Sequence, residues 1–356
     1  MSKLPDLIIG DLRISPPIIQ GGMGINISRA NLASAVANEG GVGTISAITG
    51  GAAHNPASPL SDAALREQIR KARRQTMGVL AVNILVALTN YADIVKVVTE
   101  EGIDIIFSGA GLPMNLPKLV EGTKTKICPI VSSARSAEIL CRNWKNKYHR
   151  APDAIVVEGP LAGGHLGYSN EELGNGTPLR QLDDILLEVI AVADRYASAH
   201  QKRIPVIAAG GIYDGKDIAR VMKLGAAGVQ MATRFVCTNE CDAADEFKQA
   251  YLNATKDDVS LIQSPLGLPG RALRGNFLDR AKKGEVKFTC RYRCIKTCNP
   301  ASSPYCIADA LLNASQGNLK DGFVFVGSNV HRVDKIVSVK ELVRELVEEA
   351  EKEFSA

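Results

Sequence analysis

Of the five histidines, His54, His149, His165, His200 and His331, only His165 ends an apolar run in a glycine-rich setting. The run reads Glu158-Gly-Pro-Leu-Ala-Gly-Gly-His165-Leu-Gly167. An imidazole that titrates near neutrality takes or gives a proton at little cost, which suits a base acting on a weakly acidic C–H. His149 and His200 close helix-like stretches, where a cation against the dipole accounts for them.

Other apolar runs end in the same bare way. One ends in Gln20-Gly21-Gly22-Met23-Gly24, another in Asn83, another in Ala209-Gly210-Gly211, and the last reads Gly228-Val-Gln230-Met231-Ala232-Thr233. Glycine at such ends removes the side chain and lets backbone approach a flat or phosphorylated ligand. Gly210, Gly211 and Met231–Thr233 fall where barrel enzymes commonly hold phosphate. Two phosphate motifs are excluded. Gly210-x4-Gly215-Lys216 is followed by Asp217 where a nucleotide-hydrolase loop needs Ser or Thr, and Gly22-Met-Gly24 has Ile27 where a dinucleotide fingerprint needs its third glycine.

The elements that must carry these residues follow from the apolar pattern. Eight near-continuous apolar runs recur, at Pro17–Gly21, Val42–Ala47, Val79–Leu85, Ile103–Gly109, Ile127–Ser132, Ala154–Gly159, Ile204–Gly210 and Ala227–Thr233. Runs apolar on both faces mark parallel strands covered by helices. Helical periodicity falls at Ser28–Glu39 (with Ser28 as N-cap), Ala63–Arg74, Tyr91–Glu101, Ser136–Tyr148, Asp183–His200 and Gly215–Leu224. Eight strands alternating with helices predict an α/β fold, a TIM (β/α)8 barrel. Leu7–Ser15 reads as a hairpin across the barrel floor, turned at Gly10-Asp11.

The alternation breaks near Cys237 and returns at Ser338–Phe354, where Val339, Leu342, Leu346, Val347 and Ala350 form one stripe. The expected division is a barrel with its hairpin over 1–240, an inserted cap with a cysteine cluster over 241–310, and a return to the barrel with its closing helix over 311–356.

The cap holds Cys290-x3-Cys294-x3-Cys298-x7-Cys306. If helical, the first three share a face. Four thiolates can hold zinc or an iron–sulfur cluster, but the spacing matches neither the usual zinc pairs nor the ferredoxin patterns. Arg291, Arg293 and Lys296 would lower the thiol pKa values. The reading adopted is reduced thiols and no metal.

Eight cysteines in 356 residues are too dilute for a secreted disulfide scaffold. The opening Met1-Ser-Lys-Leu-Pro-Asp has no signal-peptide pattern, and no apolar stretch is long enough to span a membrane. A cytoplasmic protein is expected. Lys and Arg number 42 against 38 Asp and Glu, a net charge of +4. That balance gives no reason to expect nucleic acid or a membrane surface as partner.

Taken in order, Pro17-Ile-Ile-Gln-Gly-Gly-Met-Gly24, Val82-Asn83, Ala162-Gly-Gly-His165-x-Gly167, Pro205-Val-Ile-Ala-Ala-Gly-Gly-Ile212 and Gly228-Val-Gln-Met-x-Thr-Arg-Phe235 resemble the nitronate monooxygenase family. That family, formerly 2-nitropropane dioxygenase, includes FMN-dependent enoyl-acyl-carrier-protein reductase II and NADH:quinone reductases. The resemblance spans about Pro17 to Phe235 and implies a TIM barrel with one non-covalent FMN at its strand ends. It further implies that His165 is the catalytic base or proton donor. Gly21, Gly22 and Met23 would back the isoalloxazine, and Asn83 would hydrogen-bond its polar edge. Gly176, Gly211 and Gln230, Met231, Ala232 and Thr233 match the ribityl and phosphate contacts, and Gly164 and Gly210 join the same cofactor-binding set. The cysteine cluster is absent from the family's usual motifs.

The expected function is FMN-dependent oxidation of alkyl nitronates with O2. The alternative is NAD(P)H-dependent reduction of an enoyl thioester or a quinone. From other classes come a flavin-free phosphosugar-type barrel and a non-catalytic flavin-binding sensor. The expected partners are a small-molecule substrate with O2 or NAD(P)H. The oligomeric state is left open, a homodimer included.

Overall fold

Two short strands, β1 (Leu7–Ile9) and β2 (Leu12–Ile14), pair antiparallel with Leu7 opposite Ile14, the hairpin expected at Gly10-Asp11. They open a computed structural model that describes residues 3–49, 61–174, 178–200 and 202–355. The eight apolar runs become β3 (Ile18–Gln20), β4 (Gly43–Ser46), β5 (Leu80–Leu85), β6 (Ile105–Gly109), β7 (Lys126–Val131), β8 (Ile155–Glu158), then β10 (Val206–Ala209) and β11 (Gly228–Met231). A two-residue strand, β9 (Gly164–His165), lies between β8 and β10.

The eight long strands form one parallel sheet in the order β3-β11-β10-β8-β7-β6-β5-β4. Its two ends meet. The Gln20 N–H donates to Val42 O and the Val42 N–H to Ile18 O, both at 3.0 Å. The sheet is therefore a closed barrel, as the strand count predicted. Leu7, Ile9 and Ile14 of the hairpin pack with Ile19, Phe107 and Ile207 in one buried cluster inside it. The floor is plugged by apolar side chains, which leaves only the opposite mouth for chemistry.

Around the barrel run α1 (Ala30–Asn38), α2 (Asp62–Gln75), α3 (Tyr91–Glu100), the single turn α4 (Leu116–Leu119), α5 (Ala134–Tyr148), α6 (Leu182–His200) and α7 (Gly215–Lys223). After β11 come a short α8 (Thr233–Val236), α9 (Asp245–Leu252), the strands β12 (Val259–Gln263) and β13 (Pro269–Leu273), α10 (Asn276–Lys282), α11 (Ile307–Ser315) and α12 (Val339–Ser355). The last helix packs on both α7 and α1, the place of the eighth barrel helix. It buries Val339, Leu342, Leu346 and Ala350 of the expected stripe.

Ser28 does not cap α1. The cap position is Arg29, and the Asp242 carboxylate accepts the Arg29 and Leu32 N–H groups from across the fold at 3.1 and 3.3 Å. A partner 210 residues away is invisible to a local capping pattern. Ser28 is instead fully buried and grips Met23, accepting its N–H at 2.8 Å and donating to its carbonyl at 3.2 Å.

Between α8 and α12 the chain builds a second, smaller core around Phe277, Tyr305 and Phe323. The expected boundary at 310 cuts through α11, and Phe323 beyond it belongs to the same cluster as Phe277. Strands β12 and β13 pair antiparallel, and β13 pairs in turn with β9. Among the described residues no helix is long and apolar enough to cross a membrane.

Phe107 is completely buried inside the barrel. Phe107→Ala is expected to lower stability by about 3–5 kcal/mol in urea unfolding. A loss below about 1 kcal/mol would show that the barrel interior is not packed as described.

Candidate active site

The mouth opposite the hairpin is a cavity of about 1820 Å3, its open entrance included. Gly21, Gly22, Met23, Asn83, Gly164, His165, Gly210, Gly211, Gln230, Met231, Ala232 and Thr233 all line it. Gly176 and His54 lie outside the described residues. The sequence thus names twelve positions, on β3, β5, β9, β10 and β11 or just beyond them, that folding brings to one cavity.

Close packing explains why several must be small. A Cβ on Gly22 would stand 2.3 Å from Asn83 Cβ, so the amide of Asn83 is wedged against bare backbone. Gly210 and Gly211 have φ of +85° and +84°, and a Cβ on Gly210 would meet the Gly159 carbonyl oxygen at 2.8 Å. The first loop is pinned from behind. Gln20, buried inside the barrel, donates its side-chain N–H to the Gly21 carbonyl and accepts the Thr44 N–H at 3.0 Å. The Gly21 N–H donates to Met231 O at 2.8 Å, tying the first and last strand ends together.

His165 enters the cavity from β9, opposite Gly270 of β13. Its Nε2 lies 2.7 Å from the Ser264 hydroxyl, whose oxygen also accepts the Leu266 N–H at 3.2 Å. The Phe325 ring meets the imidazole edge-on, with centroids 5.0 Å apart. Burial among these groups, with no carboxylate paired to it, pushes the imidazole pKa down to about 4. His165 is therefore neutral at physiological pH, and burial takes it below the near-neutral titration expected from the sequence.

Two further features escaped the sequence reading. Glu158, at the end of β8, also lines the cavity, and burial pushes its carboxyl up to about 7 although the charge of Arg271 opposes this. The signal was an acid closing an apolar strand. The second is Gly327-Ser328-Asn329, which follows the apolar run Phe323–Val326 and crosses the rim. The Ser328 hydroxyl donates to Leu161 O at 2.7 Å and the Asn329 amide to Gly211 O at 2.9 Å, so this segment bridges the β8 and β10 loops. Among the described residues lining the cavity none is Lys or Arg. Arg271, a buried cation, donates to the carbonyl of the lining residue Ala162 instead.

Asp214, beside the excluded nucleotide motif, caps α7 by accepting the Asp217 N–H at 3.0 Å and pairs with Arg332. The cysteine segment differs from its expectation. Residues 290–306 form no helix, so the shared helical face does not exist. Burial pushes the Cys294 thiol up to about 11 and that of Cys306 up to about 12, against the expected lowering by Arg291, Arg293 and Lys296. Desolvation leads both shifts, and the neighbouring charge of Asp309 adds to the rise.

A family model described as nitronate monooxygenase matches residues 6–349. A probable nitronate monooxygenase of Staphylococcus saprophyticus is 26% identical over 78% of this chain and 81% of its own length. A (3aS,4S,5R,7aS)-5-hydroxy-7a-methyl-1-oxo-octahydro-1H-indene-4-carboxyl-CoA dehydrogenase of Mycobacterium tuberculosis is 29% identical over 76% of this chain, which spans only 66% of that protein. Among solved structures, FabK from Thermotoga maritima superposes with a TM-score of 0.75 at 29% identity, covering 95% of this chain and 94% of its own. A nitroalkane oxidase from Streptomyces ansochromogenes gives 0.74 at 21% identity over 96% and 97%, a likeness of fold.

The depressed pKa of His165 has a consequence for stability. The unfolded chain takes up this proton near pH 6.5 and the folded protein only near pH 4, so His165 removes stability as pH falls across that window. His165→Gln is expected to lose less melting temperature between pH 6.5 and pH 4 than the parent. Parallel melting curves across that range would contradict the burial of an unpaired neutral imidazole.

Proposed function

The chain belongs to the nitronate monooxygenase family and is an oxidoreductase, and from that premise we propose that it oxidises alkyl nitronates with O2 using FMN held at the barrel mouth. The observation that supports this most is the joining of a glycine-bared rim to one neutral imidazole in a single cavity. Membership of an enzyme family sets aside the sensor and the phosphosugar-type barrel.

The residues present fit the group. A Cβ on Gly164 would meet no protein atom within 4 Å, so the rim leaves open space at the point where His165 enters. On this reading Gly21, Gly22 and Met23 back the ring and Asn83 faces its polar edge. Gly210, Gly211 and Gln230–Thr233 would offer bare backbone and the Thr233 hydroxyl to the ribityl phosphate, with no cationic side chain among the described lining residues. FMN, when bound, supplies the two-electron redox chemistry, accepting electrons from the substrate and passing them to dioxygen. In the net reaction one dioxygen converts a pair of nitronates to carbonyl compounds and nitrite.

His165 then has two tasks. Nδ1, the nitrogen that Ser264 leaves free, would take a proton from a nitroalkane carbon when the neutral form arrives, and in the other tautomer its N–H would orient the nitro oxygens of the anion. Ser264 fixes the ring through Nε2 and Phe325 limits its tilt and keeps water off one edge.

Reduction of an enoyl thioester by NAD(P)H is the second reading, favoured by the 29% identity to FabK and by a relative named for a carboxyl-CoA substrate. It requires a proton at the substrate carbon. Glu158, with its carboxyl near 7, is a lining carboxyl that still carries a proton part of the time at neutral pH.

Purified protein mixed with an alkyl nitronate under air is expected to consume oxygen and release nitrite. Turnover with NADH and a crotonyl thioester, and none with nitronate, would replace the first reading by the second. His165→Ala is expected to lower nitronate turnover by about 10²–10⁴ while the protein stays yellow. Unchanged turnover would remove His165 from proton transfer.

A further inference from the structure

Cys290, Cys294, Cys298 and Cys306 line a second cavity, of about 910 Å3 with its opening, together with apolar residues that include Phe288, Pro300 and Ile307. All four thiols are free and half-buried, whereas Cys128, Cys141, Cys237 and Cys241 are fully buried elsewhere. We propose that these four cysteines ligate a [4Fe–4S] cluster, one thiolate at each iron. The inference stands whichever substrate the barrel mouth takes.

The arrangement separates a cluster from a single ion. Among the described residues no three His, Cys, Asp or Glu side chains come close enough together to hold one metal ion. A zinc ion needs all its sulfurs at about 2.3 Å from one point. A cuboidal cluster takes its thiolates at separate corners, so its cysteines must surround an open space, and these four line one cavity.

The segment that carries them is irregular but fixed. The Thr89 N–H donates to Cys294 O at 3.1 Å, the Lys296 N–H to Ala87 O at 2.9 Å, and the Thr297 hydroxyl to Leu266 O at 2.7 Å. Loose spacing in sequence is therefore compatible with fixed positions in space. The Ser303 hydroxyl lies 3.3 Å from Cys298 Sγ, placed to donate to a ligating sulfur. Four thiolates on such a core leave net negative charge. Residues 290–309 contain Arg291, Arg293 and Lys296 against one acid, Asp309, whose carboxylate accepts the Tyr292 hydroxyl at 2.9 Å.

Cys294, Ile295 and Ile307 line both cavities. The cluster would thus be a one-electron centre one layer of side chains away from the barrel mouth.

The test is metal and sulfide analysis of the full chain, purified under nitrogen and reconstituted with ferrous iron and sulfide, then desalted. About four iron and four acid-labile sulfide per chain are expected, with an electron paramagnetic resonance signal after dithionite reduction. Cys290→Ala/Cys306→Ala should lose most of the iron and sulfide while its far-ultraviolet circular dichroism matches the parent. Parent protein that retains no iron and sulfide, or that holds one zinc without sulfide, overturns the proposal. So does full retention of iron in the double variant. Should that variant misfold, the content of the parent still decides.

Discussion

Backbone pairing between β9 and β13 is the contact on which the candidate site rests. His165 sits opposite Gly270 and Gly164 opposite Arg271, and the Leu166 N–H extends the pairing to Pro269 O at 2.8 Å. These few bonds are where the barrel loop and the smaller unit share a sheet. The same hairpin that holds the imidazole's backbone also provides Ser264, at the turn closed by the Gly267 N–H donating to Ser264 O at 2.9 Å. Phe325, against the imidazole, comes from the stretch that goes on to Gly327-Ser328-Asn329. A shift of that unit would move the imidazole relative to the rim, because its partners Ser264, Gly270 and Phe325 all come from beyond the barrel strands.

Electrostatics at the mouth depend on dehydration rather than on charge pairs. His165 stays neutral and Glu158 stays partly protonated because both leave water without a full counter-charge. Arg271, buried behind Glu158, softens that effect without cancelling it. On the proposed function, anion recognition would fall to peptide N–H groups, which carry partial charge without titrating. A wall of this kind tolerates a flat, partly apolar ring and a phosphate in one enclosure.

Much of this was legible beforehand. The barrel followed from eight runs apolar on both faces, since only a sheet covered by helices buries both. The rim glycines announced themselves because they stand at or just past the ends of such runs. What the sequence could not carry was partnership across long separations. Asp242 caps a helix that begins at Ala30, Ser264 meets His165 from 99 residues away, and Asn329 reaches Gly211 from 118. At Ser28 a local contact decided instead: its hydroxyl is used on the Met23 loop, and the distant Asp242 takes the cap. For the thiols, cations near in sequence pointed to lowered pKa values, but burial, a property of the fold, set the sign at Cys294 and Cys306.

On the proposed function, uncharged backbone at one barrel mouth retains a flavin phosphate. The most direct measurement is the visible absorption of protein purified without added cofactor and passed over a desalting column. Flavin bands corresponding to about one FMN per chain are predicted, or recovered to that level after incubation with FMN. A folded, colourless protein that takes up no FMN would contradict the account.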